Sequence, residues 1–271
     1  MQWLARHRGV TEFGIVGLCL LIYFLVRGNV VDRPLTAFEH AIDVVALERR
    51  LGFFWEPAWQ RAIQGDVVQI HFWNYVYFWA HAPVIVPIAF WLYFRHRREY
   101  TLIRNAFLFS ALIGICIYAI YPTAPPRLLT PEGYAEFGVR LPPPQYGFAD
   151  TMRAYSNVSY QAESLRPFVN PFAAMPSLHF GWAFLIGLGV ALALRNALGL
   201  LTVVALPLLM LFGIVLTANH FIFDAVAGLG VVLVALVAAI ALERLPERHR
   251  KRFVPPFLRP APPPATVRAR D

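Results

Sequence analysis

Two histidines define the chemistry open to this chain. His220 stands four residues before Asp224 in Asn219-His220-Phe221-Ile222-Phe223-Asp224, and His179 closes the run Pro176-Ser177-Leu178-His179. On a helix, positions four apart share one face, so Asp224 can accept a hydrogen bond from one imidazole nitrogen of His220. The other nitrogen then keeps its lone pair and can act as nucleophile or base. A structural His–Asp bond at a helix start has the same spacing, and spacing leaves both readings open. Pro176 fits the first turn of a helix, where its missing N–H would have had no partner. Ser177, with Leu178 and the free N–H groups there, makes an anion site, and His179 follows one turn inside. Arg127, in Pro125-Pro126-Arg127, adds a guanidinium. Brought together, these groups suit phosphoryl transfer: Arg127 neutralises phosphate oxygens, one histidine attacks phosphorus, and the other protonates the leaving oxygen. No cluster of Cys, His or carboxylates has metal-ligand spacing, so the scheme calls for no metal and no cofactor.

Elements that bring these residues to one place must be apolar helices. The chain has 271 residues, 58% hydrophobic and 15% charged. That profile belongs to a membrane protein. Six apolar runs of spanning or near-spanning length stand out, at residues 10–26, 71–94, 101–121, 177–194, 197–217 and 221–242. The first follows Arg6 and Arg8 and is followed by Arg27-Gly28-Asn29 with no small-residue cleavage site, so a retained helix is expected. Basic residues cluster at Arg95–Arg104 and in the tail from Glu243, which has eight Arg and Lys against three acids. The segments 27–66 and 122–176 are nearly balanced, with five basic to six acidic and four to four. The positive-inside rule then puts both termini in the cytoplasm and the two large loops outside. Counted by crossings, Arg127, His179 and His220 reach the same extracytoplasmic face. The net charge of +8 reads as orientation and contact with anionic lipid, with no nucleic acid required.

The predicted fold is an all-α integral membrane bundle of six transmembrane helices, with an extracytoplasmic amphipathic helix and a long Pro-rich cap loop. Residues 1–242 form the membrane domain and 243–271 a basic, Pro-rich cytoplasmic tail. Leu35, Phe38, Ile42 and Val45 recur at helical spacing opposite Glu39, Asp43 and Glu48, and Gly52 offers a stop. With Phe53, Phe54, Trp55 and Trp59 behind it, this reads as an interfacial helix with an aromatic belt, or as a lid over the site. His40 is expected in water or at the interface. Pro83 and Pro87 should kink the second run; Asn74 and His81 should face the bundle interior, with His81 a candidate substrate contact and His71 at the outer interface. The loop 122–176, rich in proline and aromatics, should fold as a cap over the site. Cys19 and Cys116 fall mid-helix and are read as buried packing residues.

At the chemistry-bearing positions the sequence resembles the type 2 phosphatidic acid phosphatase superfamily, whose signature is K-x6-R-P, then P-S-G-H, then S-R-x5-H-x3-D. Pro176-Ser177-Leu178-His179 matches the second element with Leu for Gly, and His220-x3-Asp224 matches the third. Ala174-Met175-Pro176-Ser177-Leu178-His179, with Pro125-Pro126-Arg127, is similar to the inositol phosphorylceramide synthase branch and its bacterial relatives. The resemblance implies His220 as nucleophile, Asp224 as its orienting partner and His179 as general acid. Arg127 and Ser177 would hold phosphate, with Leu178 and Asn219 beside them. It also implies a bacterial plasma-membrane enzyme acting on a lipid or polyprenyl-linked phosphate, with water or an alcohol such as inositol or a glycolipid as acceptor. Two departures matter: Ile120 stands where the lysine is expected and Ile214 where the second arginine is expected. The rival reading is a non-enzymatic lipid- or anion-binding membrane protein or transporter, but no charged path continues through the last two runs.

Overall fold

The computed structural model describes residues 8–29, 33–155, 170–246, 248–249 and 259, the side chains of 8 and 80–82 excepted. Ten α-helices follow one another among these residues: α1 Arg8–Asn29, α2 Pro34–Leu51, α3 Glu56–Ile63, α4 Val67–Arg95, α5 Arg97–Ile120, α6 Pro131–Glu136, α7 Thr151–Tyr155, α8 Leu178–Leu194, α9 Ala197–Leu216 and α10 Ile222–Arg244. Five of them, α1, α4, α5, α9 and α10, are long and apolar enough to cross a membrane. The chain is therefore an integral membrane protein. The fourth expected run yields α8, which is apolar but 17 residues long. Its rise of about 25 Å is short of the roughly 30 Å of a bilayer core. Leu112 on α5, Leu200 on α9 and Val237 on α10 are largely exposed, as lipid-facing positions are.

The bundle is built on α5, α8 and α10, with α9 along α8. Leu178, Trp182 and Leu185 of α8 pack with Ile103, Ala106 and Ala111 of α5 and with Val231, Val232 and Ala239 of α10. A second cluster forms a cap over one end of the bundle. There Phe38, Ala41 and Val45 of α2 meet Leu128, Leu129, Tyr134 and Phe148 of the 122–155 segment, with Phe172, Ala218 and Phe221 beneath. Each large side chain so buried contributes about 1.5–3 kcal/mol. The segment expected as an interfacial helix is thus a wall of this cap. Its C-terminus is where Gly52 predicts it, with Gly52 in the left-handed region (φ 80°) accepting what few side chains tolerate.

Several expectations need correction. Glu48, placed on the polar side of α2, is fully buried, whereas Glu39 and Asp43 are exposed. His40 is stacked on Tyr121 with centroids 3.7 Å apart, and its Nδ1 lies 2.8 Å from the carbonyl of Pro122. The break in α4 is a π turn at Val76–Ala80, immediately before Pro83. Pro83 has no N–H to give residue 79, so the ladder there is already interrupted. Asn74 does face inward, exchanging hydrogen bonds with Thr151 of the cap (3.0 and 2.9 Å). The side chain of His81 lies outside the described residues, as does most of the tail from Glu243. Cys116 is exposed and Cys19 half-exposed; neither is a buried packing residue.

Candidate active site

His220 does not lie on the helix that carries Asp224. α9 ends at Leu216, and the chain turns through Ala218 (φ 52°) before α10 opens at Ile222. A non-glycine residue in the left-handed region is uncommon and marks a turn imposed by its surroundings. Here the turn is pinned by Asn219 N–H and His220 N–H, both donating to the carbonyl of Ile214 (2.9 and 3.1 Å). Phe221 is the N-cap of α10, and Asp224 reaches back over it. Asp224 Oδ2 accepts the Phe221 N–H at 2.9 Å and lies 3.3 Å from His220 Nδ1. The His–Asp contact therefore comes from a helix cap rather than from one helical face. An ionised Asp224 can only accept, and that pairing selects the tautomer with the proton on Nδ1 and the lone pair on Nε2.

His179 faces this pair from α8, with ring centroids 5.8 Å apart. Tyr77, on the π turn of α4, is 5.0 Å from His179 and 6.4 Å from His220. No feature of the sequence singles out Tyr77 in its aromatic run; the π turn is what aims it inward. The two histidine segments are joined directly, because the Ser177 N–H donates to the carbonyl of Asp224 (2.8 Å). That approach is so close that a Cβ on Gly228 of α10 would collide with the Ser177 carbonyl oxygen. Pro176 lies before the helix instead of in its first turn, and its carbonyl accepts the Tyr118 hydroxyl (2.9 Å). The Leu that replaces Gly in this motif is accommodated by α5. A Cβ on Gly114 would come within 2.8 Å of Leu178 Cδ1, so Gly114 leaves room for it.

Arg127 sits in a single 3₁₀ turn, Pro126–Leu128, after Pro125. Its backbone N–H donates to the carbonyl of Ala218 (2.8 Å), and its Nε donates to Asn219 Oδ1 (3.0 Å). A terminal guanidinium nitrogen is 2.9 Å from Asp150 Oδ2. Asp150 is held in turn by its neighbour Ala149, whose N–H and carbonyl both bond the buried amide of Gln60 on α3 (3.0 and 2.8 Å).

These residues surround one cavity of about 320 Å³, lined by Tyr77, Arg127, Leu178, His179, Asn219 and His220, and also by Arg27 of α1. Ser177 does not line it. Ser177 is fully buried, and its N–H is engaged by Asp224. Asp224 also stands behind the wall, fully buried.

On the far side of His220 the entrance to α10 is gripped by carboxyl groups. Three consecutive N–H groups, of Phe221, Ile222 and Phe223, donate to Asp224, Glu56 and Glu48 at 2.9, 2.8 and 2.7 Å. Glu48 and Glu56 are fully buried, and a side-chain hydrogen bond joins the two carboxyl groups. Burial, and then the neighbouring charge of Glu56, push Glu48 up to about 10; burial raises Glu56 as well. A proton carried by Glu48 relieves the crowding of negative charge that a pair of buried carboxylates would create.

A family model described as PAP2 superfamily matches residues 42–238, well over half of the chain, and spans all three motifs. The chain belongs to the PAP2 superfamily. Searches among curated proteins and among solved structures found no match. Membership points to phosphatase or phosphotransferase chemistry on lipid phosphates. PAP2 motif residues His179, His220, Arg127 and Leu178 meet at the cavity, whereas the positions of the two missing cations do not reach it. Ile120 is 76% exposed at the end of α5, and Ile214 is fully buried.

Proposed function

We propose that this PAP2 protein is a phosphatase or phosphotransferase that acts on a lipid-linked phosphate through a covalent phosphohistidine at His220. The observation that carries the reading is the His220–Asp224 pair facing His179 across a cavity that Arg127 enters. Nε2 of His220 attacks phosphorus, and the bond from phosphorus to the lipid or headgroup oxygen breaks. His179 gives its proton to that leaving oxygen. In the second half, His179 takes a proton from water or an alcohol, whose oxygen displaces the histidine. Arg127 neutralises the phosphate oxygens, while Asn219 orients Arg127 and the N-terminus of α8 at Leu178 contributes N–H groups. Ser177 is left out of this shell because its N–H already serves Asp224. Nucleophile, acid and countercharge are all supplied by side chains, so we propose turnover without a metal ion.

The resemblance to inositol phosphorylceramide synthases favours an alcohol acceptor, with the cap over the cavity limiting water. In this reading α8 is a sixth crossing and both termini are cytoplasmic. The site then faces outward across a bacterial plasma membrane, and residues beyond 242 form a cytoplasmic tail. The test is purified full-length protein incubated with radiolabelled phospholipids and polyprenyl phosphates, with and without inositol. We expect phosphate release or headgroup transfer that persists in EDTA and is inhibited by vanadate. Activity lost in EDTA and restored by a divalent ion would contradict the metal-free scheme; absence of turnover on every lipid would favour a binding protein.

A further inference from the structure

The PAP2 signature supplies three cations, and this chain keeps one of them. Arg127 shares its charge with Asp150 (2.9 Å), and the carboxyl of Asp224 is buried behind His220. A phosphoryl group with one or two negative charges needs more than this. The positions expected to provide the rest hold Ile120, directed away from the cavity, and Ile214, packed in the core. Among the described residues lining the cavity, the cationic side chains are those of Arg127 and Arg27, and no acid lines it.

Arg27 comes from the last turn of α1, before the stretch matched to the family. A cation is favoured there by the helix's own C-terminal carbonyls. It is tied to the catalytic segment twice. Asn170 Nδ2 donates to the Arg27 carbonyl (3.1 Å), while Asn170 Oδ1 accepts the Phe172 N–H (2.8 Å). The guanidinium carbon lies 5.8 Å from the ring centroid of Tyr118, whose hydroxyl donates to the carbonyl of Pro176. Both ends of the 170–179 segment are thereby linked to the residue that faces the cavity.

We propose that Arg27 is the second phosphate-binding cation of this site, replacing from the first helix the charge that PAP2 motifs place at positions 120 and 214. Its ligand is a phosphate monoester or diester group, lipid-borne or free. This inference rests on the reading of the cavity as a phosphoryl-transfer site. Arg27 and Arg127 approach from α1 and from the cap, so a phosphate between them is held from two directions while His220 and His179 address phosphorus. Arg suits the task because its planar fork matches two phosphate oxygens and sheds water more readily than an ammonium.

The test compares wild type, Arg27→Gln, Arg27→Lys and Arg127→Gln as full-length proteins in detergent. Affinity is measured for inorganic phosphate and for a short-chain phosphatidic acid, and kcat/KM for the latter. We expect Arg27→Gln to weaken both ligands about tenfold or more and to lower kcat/KM by at least as much. Arg27→Lys, which keeps the charge and stem, should recover part of each, and it carries the test if Arg27→Gln fails to fold. Phosphate affinity within twofold of wild type in Arg27→Gln, with loss in Arg127→Gln, would overturn the proposal. So would a loss confined to the lipid with inorganic phosphate unaffected, which would assign Arg27 to the lipid body. If wild type turns over no lipid phosphate but Arg27→Gln still loses phosphate affinity, the cation role stands and the enzymatic reading falls.

Discussion

His220 stands between two walls of opposite character. The wall toward the cavity carries Arg127, Arg27 and His179, partly exposed and reached from three different elements. The wall behind carries Glu48, Glu56 and Asp224, all fully buried and all bound to backbone N–H groups at the entrance of α10. The difference separates two jobs that charged residues perform near a reacting histidine. Cations at the open wall meet a ligand whose charge arrives and leaves. Carboxyls at the closed wall meet fixed N–H dipoles, and they hold the segment 217–224 in the one conformation that aims Nε2 outward. Substitutions of Arg127 or Arg27 at the first wall should therefore change rate with little change in stability, and substitutions of Glu48 or Glu56 at the second should do the reverse.

The largest effect is expected at the point where the walls meet. His220→Ala should lower kcat by about three orders of magnitude or more, with His179→Ala close behind, while both proteins remain folded in detergent. Residual turnover above a few per cent in His220→Ala would remove it as nucleophile. Asp224→Asn should keep more activity than His220→Ala, because it disturbs the tautomer without deleting the attacking atom. Steady-state assays with a lipid phosphate, beside thermal unfolding, measure both.

Next comes Arg127 at the open wall. Arg127→Ala should lose about a hundredfold in kcat/KM, and Arg127→Lys should regain part, since charge returns without the fork. Unfolding temperature should move little in Arg127→Lys. Activity within threefold of wild type for Arg127→Ala would shift phosphate binding to other groups. Of the loop arginines that could substitute, Arg140 is exposed and Arg153 pairs with Glu136 at 3.0 Å, while Arg166 lies outside the described residues.

The smallest effect on rate, and a large one on stability, is expected at the closed wall. Glu48→Ala strands the part-buried Phe223 N–H, a loss of about 1–3 kcal/mol that should lower the unfolding temperature by several degrees. Glu48→Gln keeps an acceptor for that N–H and should remain near wild type. The pH dependence separates the two further. Glu48 is protonated when folded up to about 10 and ionised when unfolded above its ordinary 4.5, so the folded state holds an extra proton between these values. The stability that proton gives is complete below the ordinary carboxylate range and declines as pH rises toward 10. Wild type should thus lose unfolding temperature from pH 5 to 9 more steeply than Glu48→Gln. Parallel curves would show that Glu48 carries no proton in the folded state.

The two walls also differ in how far they can be read from sequence. His220 and Asp224 are four residues apart and Pro176 to His179 are contiguous, so their spacing declares them, even though the contact is made by a cap and not by a helical face. Arg127 is legible for the same reason, as part of Pro125-Pro126-Arg127. Glu48 is illegible because its partner N–H lies 175 residues away, and that of Glu56 lies 166 away. In a helix whose other acids are exposed, nothing local marks Glu48 as buried. Tyr77 is hidden similarly, one aromatic among many until a π turn points it at His179. The apolar runs locate the helices well, since hydropathy and length decide them. The start of α8 is set instead by the packing of Ser177 against Gly228, so the helix begins one residue later than the run, at Leu178, and ends with it at Leu194.

The central claim is covalent chemistry at His220, and one measurement addresses it directly. Protein mixed with a lipid phosphate labelled at phosphorus is quenched in alkali within the first turnover, digested and analysed by mass spectrometry. Nucleophilic attack by His220 predicts an alkali-stable, acid-labile phosphoryl group on the peptide containing His220, accumulating further in His179→Ala if the second half-reaction is slowed and absent from His220→Ala. Turnover with no label on that peptide, or label that persists in His220→Ala, would contradict it.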